Sequence, residues 1–148
     1  MLWPSADAAV NEMRAVLPLC DLVKVSKEDL VMLTGTCNAH DGAQALFHSM
    51  SDTACLCAVT CGTDGSAAAS RTAFAAVPAE RVKAVDTTGA GAIFWGAMLS
   101  ALLDSGLPEV YSQKMLAGLL RFSNHAAGIS VTRRGGILSR RHTTASLH

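Results

Sequence analysis

The stretch DTTGAGAIFWG (residues 86–96) carries most of the chemical information in this 148-residue chain. An acidic residue and two threonines precede Gly89 and Gly91, and an uncharged apolar run follows. Glycines let backbone N–H groups approach a ligand without obstruction by Cβ, and a helix that starts here adds partial positive charge. Either the loop binds an anion, or its glycines only turn the chain from strand to helix. The spacing leaves both interpretations open.

Composition favours one globular domain, or part of one, with a buried sheet flanked by helices. Half of the residues are hydrophobic and only 16% are charged, which is too apolar for a disordered chain. Twelve basic residues balance twelve acidic ones. No overall charge therefore attracts nucleic acid or an anionic membrane, and we expect neither as a partner.

Targeting signals and cysteine usage point to the cytoplasm. The longest uncharged run, between Asp86 and Asp104, is short for a membrane span and has acidic flanks. The N-terminal MLWPSADAAV resembles no secretory signal. The five cysteines form no CxxC pair, so we expect reduced thiols, with Cys55 and Cys57 on one strand face.

Helical and apolar extended segments alternate along the chain. Helices are expected at residues 6–17 (after Pro4-Ser5), 27–35 (between Ser26 and Gly35), 41–50, 92–103 (buried nearly all round) and about 109–127 (after Pro108). Strands are expected at residues 21–26 and 54–62, with weaker ones at 67–75 and 81–85. This alternation predicts an α/β fold with a largely parallel sheet. Both glycine-rich turns, at residues 60–66 and 86–91, should follow strands and lie at the carboxyl edge, where such sheets bind ligands.

Four ordered stretches carry a specific resemblance. VDTTGAG (residues 85–91), followed by FWGAML, resembles the C-terminal signature of ribokinase-like sugar kinases of the PfkB family, fructokinases in particular. KVSKEDLVMLTG resembles the family's Asn-x-x-Glu segment, with Ser26 and Asp29 at the two motif positions. VTCGTDGS resembles its nucleotide-binding glycine turn, and RFSNHAAGISVTRRGG its adenine-side helix and following loop. The resemblance covers nearly all of residues 2–136.

The resemblance implies a ribokinase-like three-layer sandwich, of which the chain is the C-terminal portion. Residues 1–136 would form the nucleotide-binding half of a kinase domain, and residues 137–148 an irregular tail. The implied activity is ATP-dependent phosphoryl transfer to a sugar hydroxyl. ATP and Mg²⁺ would be required, and a monovalent cation such as K⁺ often lies beside the loop.

Site residues follow from the matched motifs. The backbone of Gly89, Ala90 and Gly91 would form the anion hole. The positions implied for the nucleotide are Thr60, Gly62 and Gly65, with Asn124 near the adenine. The positions implied for the monovalent cation, mostly through backbone carbonyls, are Asp86, Thr88, Ser130, Arg133, Gly135 and Ser139. Asp29 would act on Mg²⁺ through water.

One departure affects the chemistry directly. The family motif continues GAGD, and that aspartate is the general base, whereas this chain has Ala92. A positioned base contributes about 10²–10⁴-fold to the rate, and a methyl group accepts no proton. His125 is the one histidine in the adjoining motifs, and a partly buried structural role is favoured for it over a catalytic one.

The second departure is length, because the chain starts where the second half of a family member would start. The missing half carries the first strands, the lid and most sugar contacts, so an apolar sheet edge would need a complementing chain or a dimer partner. The leading hypothesis is a fructokinase-like kinase fragment with weak or no activity of its own. The alternative is a non-catalytic nucleotide-binding or regulatory module that pairs with another kinase chain. The loop spacing disfavours a dinucleotide-dependent enzyme.

Overall fold

The computed structural model describes residues 3–132, which form five α-helices and one four-stranded sheet. The helices are α1 (Ala6–Val16), α2 (Lys27–Thr34), α3 (Ala39–His48), α4 (Ala90–Asp104) and α5 (Gln113–Val131). The strands are β1 (Leu22–Ser26), β2 (Leu56–Thr60), β3 (Ser66–Ala69) and β4 (Phe74–Val77). Short 3₁₀ turns occupy Leu17–Leu19 and Gly62–Asp64.

The sheet is mixed, with spatial order β1-β2-β3-β4. β1 and β2 are parallel, with Leu22 opposite Leu56 and Ser26 opposite Thr60. The β2–β3 and β3–β4 pairs are antiparallel, so the expectation of a largely parallel sheet is wrong for this portion. Only residues 61–65 and 70–73 connect these strands, and a parallel crossover needs a dozen residues or more.

Helices cover both faces of the sheet, which gives the predicted three layers. One hydrophobic cluster joins residues of α1, α2 and α3 to Cys57 and Val59 of β2. The other joins residues of α4 and α5 to Leu56 and Ala58 of the same strand. Successive residues of β2 therefore alternate between two cores, and all four are fully buried. A strand that is covered on both faces has a continuous run of apolar residues, and the sequence predicted β2 from such a run.

Local capping explains where the first helices begin and end. The Ser5 hydroxyl accepts a hydrogen bond from the Ala8 N–H at 3.1 Å, at the start of α1. Ser26 caps α2, and Gly35 ends it in the left-handed conformation at φ 75°. These boundaries confirm the sequence predictions, because cap geometry is set by the residues themselves.

Residues 81–85 do not form the weak strand that the sequence predicted. No described strand runs beside them, and the Val85 N–H donates instead to the Val131 carbonyl at the end of α5, at 2.7 Å. The turn at residues 86–91 therefore does not follow a strand, contrary to expectation.

Two helices differ from their predicted form. The last helix begins at Gln113 rather than near Pro108, since the Ser112 hydroxyl caps it by accepting from the Met115 N–H at 3.2 Å. α4 is buried along one side only, and Leu103 on its other side is 68% exposed.

Cys55 and Cys57 do not share a face. β2 begins at Leu56, so Cys55 precedes the strand and packs against the α4–α5 cluster, whereas Cys57 lies in the α1–α3 cluster. Within residues 3–132, no helix is both long and apolar enough to cross a membrane.

Candidate functional site

The N-terminus of α4 presents open backbone donors. Gly89 precedes the helix in the left-handed conformation (φ 80°, ψ 0°), which glycine adopts without steric cost. The Ala90 N–H donates to the Thr87 carbonyl at 3.2 Å. The N–H groups of Gly91 and Ala92 have no acceptor among the described residues. Two donors of the first turn are thus available to a ligand, together with the partial positive charge of the helix end.

The other four described α-helices each begin with a side-chain cap that occupies a first-turn N–H group. The capping residues are Ser5, Ser26, Asn38 and Ser112. α4 has no side-chain cap, so the glycine-rich loop leaves free the groups that the other helices satisfy internally.

A lysine on β1 adds a full positive charge at this helix end. The Lys24 ammonium nitrogen lies 3.2 Å from the point that a Cβ on Gly91 would occupy. The absence of a side chain at Gly91 therefore permits the ammonium group to approach the start of α4. Two N–H donors, a helix dipole and an ammonium group together suit an anion such as a phosphate.

Sequence reasoning missed Lys24. The available signal was a charged residue in the middle of the otherwise apolar run LVKV, in a strand that was expected to be buried. Its place at the helix end depends on a contact across 67 positions of the chain, which no local motif encodes.

The loop before α4 is attached to the end of α5. Val85 and Asp86 both donate backbone N–H groups to the Val131 carbonyl, at 2.7 and 3.1 Å. The Asp86 carboxylate accepts the Thr88 N–H at 2.9 Å, which closes a tight turn. Asp86 and Thr88 therefore lie at the end of α5 that carries the buried Ser130.

Half of the implied cation positions are thus gathered in one region. The Ser130 hydroxyl donates to the Ala127 carbonyl at 2.7 Å, within its own helix. Arg133, Gly135 and Ser139 lie outside the described residues, as does the expected tail at residues 137–148.

The glycine turn at residues 60–66 lies at the carboxyl end of β2, as the sequence predicted. The Thr60 hydroxyl donates to the Val25 carbonyl of β1 at 3.4 Å. Gly62 and Gly65 both have positive φ, 57° and 108°. A Cβ on Gly65 would lie 2.1 Å from the Val77 carbonyl oxygen, so close packing against β4 requires glycine there.

Asn124 joins α5 to this turn. Its side-chain oxygen accepts from the Ser66 hydroxyl at 2.8 Å, and its amide nitrogen donates to the Pro78 carbonyl at 3.3 Å. The structure therefore brings the implied adenine position beside the implied nucleotide turn. The Asn124 amide itself holds the sheet end against α5.

Asp29 forms a capping box with Ser26. One carboxylate oxygen of Asp29 accepts from both the N–H and the hydroxyl of Ser26, at 3.0 and 2.8 Å. The second oxygen has no hydrogen bond within the described region. Residues 3–132 contain no cluster of three or more His, Cys, Asp or Glu side chains suited to a metal ion.

The surroundings of His125 and Ala92 give no sign of a general base that replaces the missing aspartate. The His125 ring lies 3.0 Å from the Glu80 carboxylate, and both side chains are about half exposed. His125 is thus more exposed than the partly buried position that the sequence predicted. Ala92 is exposed in the first turn of α4, where its methyl group offers no proton acceptor.

Comparisons with known proteins agree with this geometry. The family model described as pfkB family carbohydrate kinase matches residues 1–143. Fructokinase-1 of Oryza sativa subsp. japonica is 34% identical over 138 residues, which are 93% of this chain and 42% of the rice protein. A fructokinase from Xylella fastidiosa with bound ATP has TM-score 0.77 and 28% identity, over 94% of this chain and 45% of that one. A fructokinase from Vibrio cholerae O395 with fructose, ADP and calcium ion has TM-score 0.73 and 28% identity, over 92% and 42%.

The fold and the site thus define a ribokinase-like carbohydrate kinase module. The chain belongs to the pfkB family of carbohydrate kinases, as its motifs predicted. It spans about two fifths of the length of the curated relatives that it matches.

Proposed function

We propose that this chain is the nucleotide-binding portion of an ATP-dependent, fructokinase-like sugar kinase, with weak or no phosphoryl transfer by itself. The observation that carries the proposal is the electropositive start of α4, where open N–H groups meet the Lys24 ammonium in a chain of the pfkB family. We assign residues 1–136 to this portion and residues 137–148 to a tail. We place the protein in the cytoplasm.

The nucleotide phosphates would occupy the start of α4. The N–H groups of Gly91 and Ala92 would donate to phosphate oxygens, and Lys24 would neutralise charge on them. The turn at residues 60–66 and the neighbouring Asn124 would support the nucleoside end. Mg²⁺ bound with ATP supplies charge neutralisation on the phosphates. The free oxygen of Asp29 would orient a water on that ion, and K⁺ would lie by Asp86 and Thr88.

Transfer should be weak because the chain has no proton acceptor at position 92. Positioning and electrostatic stabilisation by the helix end remain, and these account for much of phosphoryl-transfer catalysis. The absent base costs about 10²–10⁴-fold in rate. The sugar is assigned from the fructokinases that resemble the chain, so fructose is the first acceptor to test.

Two measurements test the proposal. Calorimetric titration with Mg²⁺-ATP should give saturable binding, and a coupled assay with fructose should give little turnover by the chain alone. Turnover should rise on Ala92→Asp when the remaining part of a fructokinase is also present. Gln113→Asp, which places a carboxylate at the exposed start of α5, serves as the matched control and should change nothing.

A non-catalytic nucleotide-binding or regulatory module is the second candidate. The exposed methyl of Ala92 at the head of an otherwise intact phosphate site favours it. Under this candidate, Mg²⁺-ATP still binds, but Ala92→Asp gives no turnover even with the remaining part present. Turnover at an ordinary sugar-kinase rate by the unmodified chain would exclude both candidates.

A further inference from the structure

The connection between β4 and α4 is attached to α5 at both of its ends. Residues 78–86, which we call the strap, form neither helix nor strand. At its start, the Pro78 carbonyl accepts the Asn124 side-chain amide at 3.3 Å. Near its end, the Val85 N–H donates to the Val131 carbonyl at 2.7 Å.

An ion pair joins the middle of the strap to the same helix. The Nδ1 atom of His125 lies 3.0 Å from both carboxylate oxygens of Glu80. A proton on Nδ1 is donated to the carboxylate in the neutral ring as well as in the charged one. One of these oxygens lies 3.7 Å from the point that a Cβ on Gly128 would occupy, and a Val82 methyl lies 3.8 Å from it. The absence of a side chain at Gly128 thus lets the strap lie close against α5.

The contacts follow one another in the same order along both segments. Strap residues 78, 80, 82 and 85 lie against positions 124, 125, 128 and 131 of α5. Positions 124, 128 and 131 repeat at intervals of four and three residues, which places them on one face of the helix. The strap therefore runs along α5 in the direction of the helix.

α5 is attached to both of the loops that the nucleotide would contact. At one end, the Asn124 side-chain oxygen accepts the Ser66 hydroxyl at 2.8 Å and so holds the glycine turn at residues 60–66. At the other end, the strap leads directly into the loop at residues 86–91. The place of the strap on α5 therefore sets the separation of the two loops.

We propose that the Glu80–His125 pair is a positioning contact for nucleotide binding. It holds the strap on α5 and thereby sets the distance from the phosphate-binding loop at residues 86–91 to the glycine turn at residues 60–66. This inference rests on the proposed function and adds two positioning residues to it. Both side chains are about half exposed, and exposed ion pairs contribute modestly, so the expected effects on binding are also modest.

A double-mutant cycle at neutral pH tests the positioning role. Glu80→Ala and His125→Ala should each weaken Mg²⁺-ATP binding, measured by calorimetry, about two- to fivefold. The double variant should bind no more weakly than either single variant, because both substitutions remove the same contact. Exchange of the two residues, Glu80→His with His125→Glu, should restore binding to within about twofold of the unmodified chain.

The control is Glu12→Ala, which removes an exposed carboxylate from α1. α1 packs on the face of the sheet opposite to α5, so this variant should bind Mg²⁺-ATP as the unmodified chain does.

Two further measurements separate positioning from a general loss of structure. Mg²⁺-tripolyphosphate would contact the phosphate-binding loop alone, whose own turn is closed by the bond from the Thr88 N–H to the Asp86 carboxylate. Its affinity should therefore change less than about twofold in either single variant. In the ligand-free chain, hydrogen exchange at the Val85 amide should become about two- to fivefold faster in either variant, because the strap leaves α5 more often.

The positioning role is overturned by additive losses in the cycle, by no recovery in the exchanged variant, or by equal weakening of Mg²⁺-ATP and Mg²⁺-tripolyphosphate. If Mg²⁺-ATP binds the unmodified chain and neither single variant weakens it, the positioning role fails and the proposed function stands. If the unmodified chain binds no Mg²⁺-ATP, the proposed function fails, and the positioning role fails with it.

Discussion

Gly65→Ala should strongly destabilise the fold, because this glycine is required on two separate grounds. Its backbone conformation, φ 108° and ψ −138°, lies in a region that is essentially restricted to glycine and costs other residues about 1–3 kcal/mol. The new Cβ would also lie 2.1 Å from the Val77 carbonyl oxygen and 2.7 Å from the Ala79 nitrogen. Both are backbone atoms, so β4 must shift, at a further cost of about 1–3 kcal/mol.

The expected loss in the free energy of unfolding is therefore about 2–6 kcal/mol. Gly62→Ala in the same turn is the matched control. Gly62 has φ 57° and open space around its Cβ position, so only the left-handed strain of about 1–2 kcal/mol applies. Urea denaturation with an unchanged m-value measures both variants. If the two variants lose stability equally, the contact with β4 does not make the difference that the geometry requires.

Three further predictions concern charge, capping and burial. Lys24→Met should weaken Mg²⁺-ATP binding, measured by calorimetry, about tenfold or more, since it removes a charged donor. Lys114→Met, at an exposed position of α5, should leave the binding unchanged. Equal weakening by both substitutions would contradict the phosphate site. Ser26→Ala should lower the free energy of unfolding by about 1 kcal/mol in urea titration, because the capping box of α2 is lost; an unchanged midpoint would contradict this. Burial raises the pKa of Cys57 to about 12, so its thiol stays protonated at pH 8. After iodoacetamide treatment of the folded chain, mass spectrometry should find the exposed Cys37 modified and Cys57 unmodified.

Much of the fold could be predicted because it is encoded locally. Ser5, Ser26 and Gly35 set helix ends through bonds to neighbours three or four positions away. The β2 run was recognised because both faces of that strand are buried. Motif order along the chain identified the family and the α/β class.

Two of the wrong predictions concern what lies beside a segment. Residues 81–85 are β-prone, but the Val85 N–H bonds to the end of α5 rather than to a strand. α4 is apolar nearly all round, which predicted a fully buried helix, but the described residues cover only one of its sides. Neither outcome can be read from a local pattern, because each depends on which distant segment is available.

The sequence by itself determined the family, the capped helices and the glycine-rich loop, since these depend on residue type and short spacing. Tertiary structure alone decided that a full positive charge lies at the loop. That property needs the Lys24 ammonium at Gly91, and the fold of the sheet brings these two residues together. Electrostatic interaction depends on distance in space, and 67 positions of chain separate the two groups that the site combines.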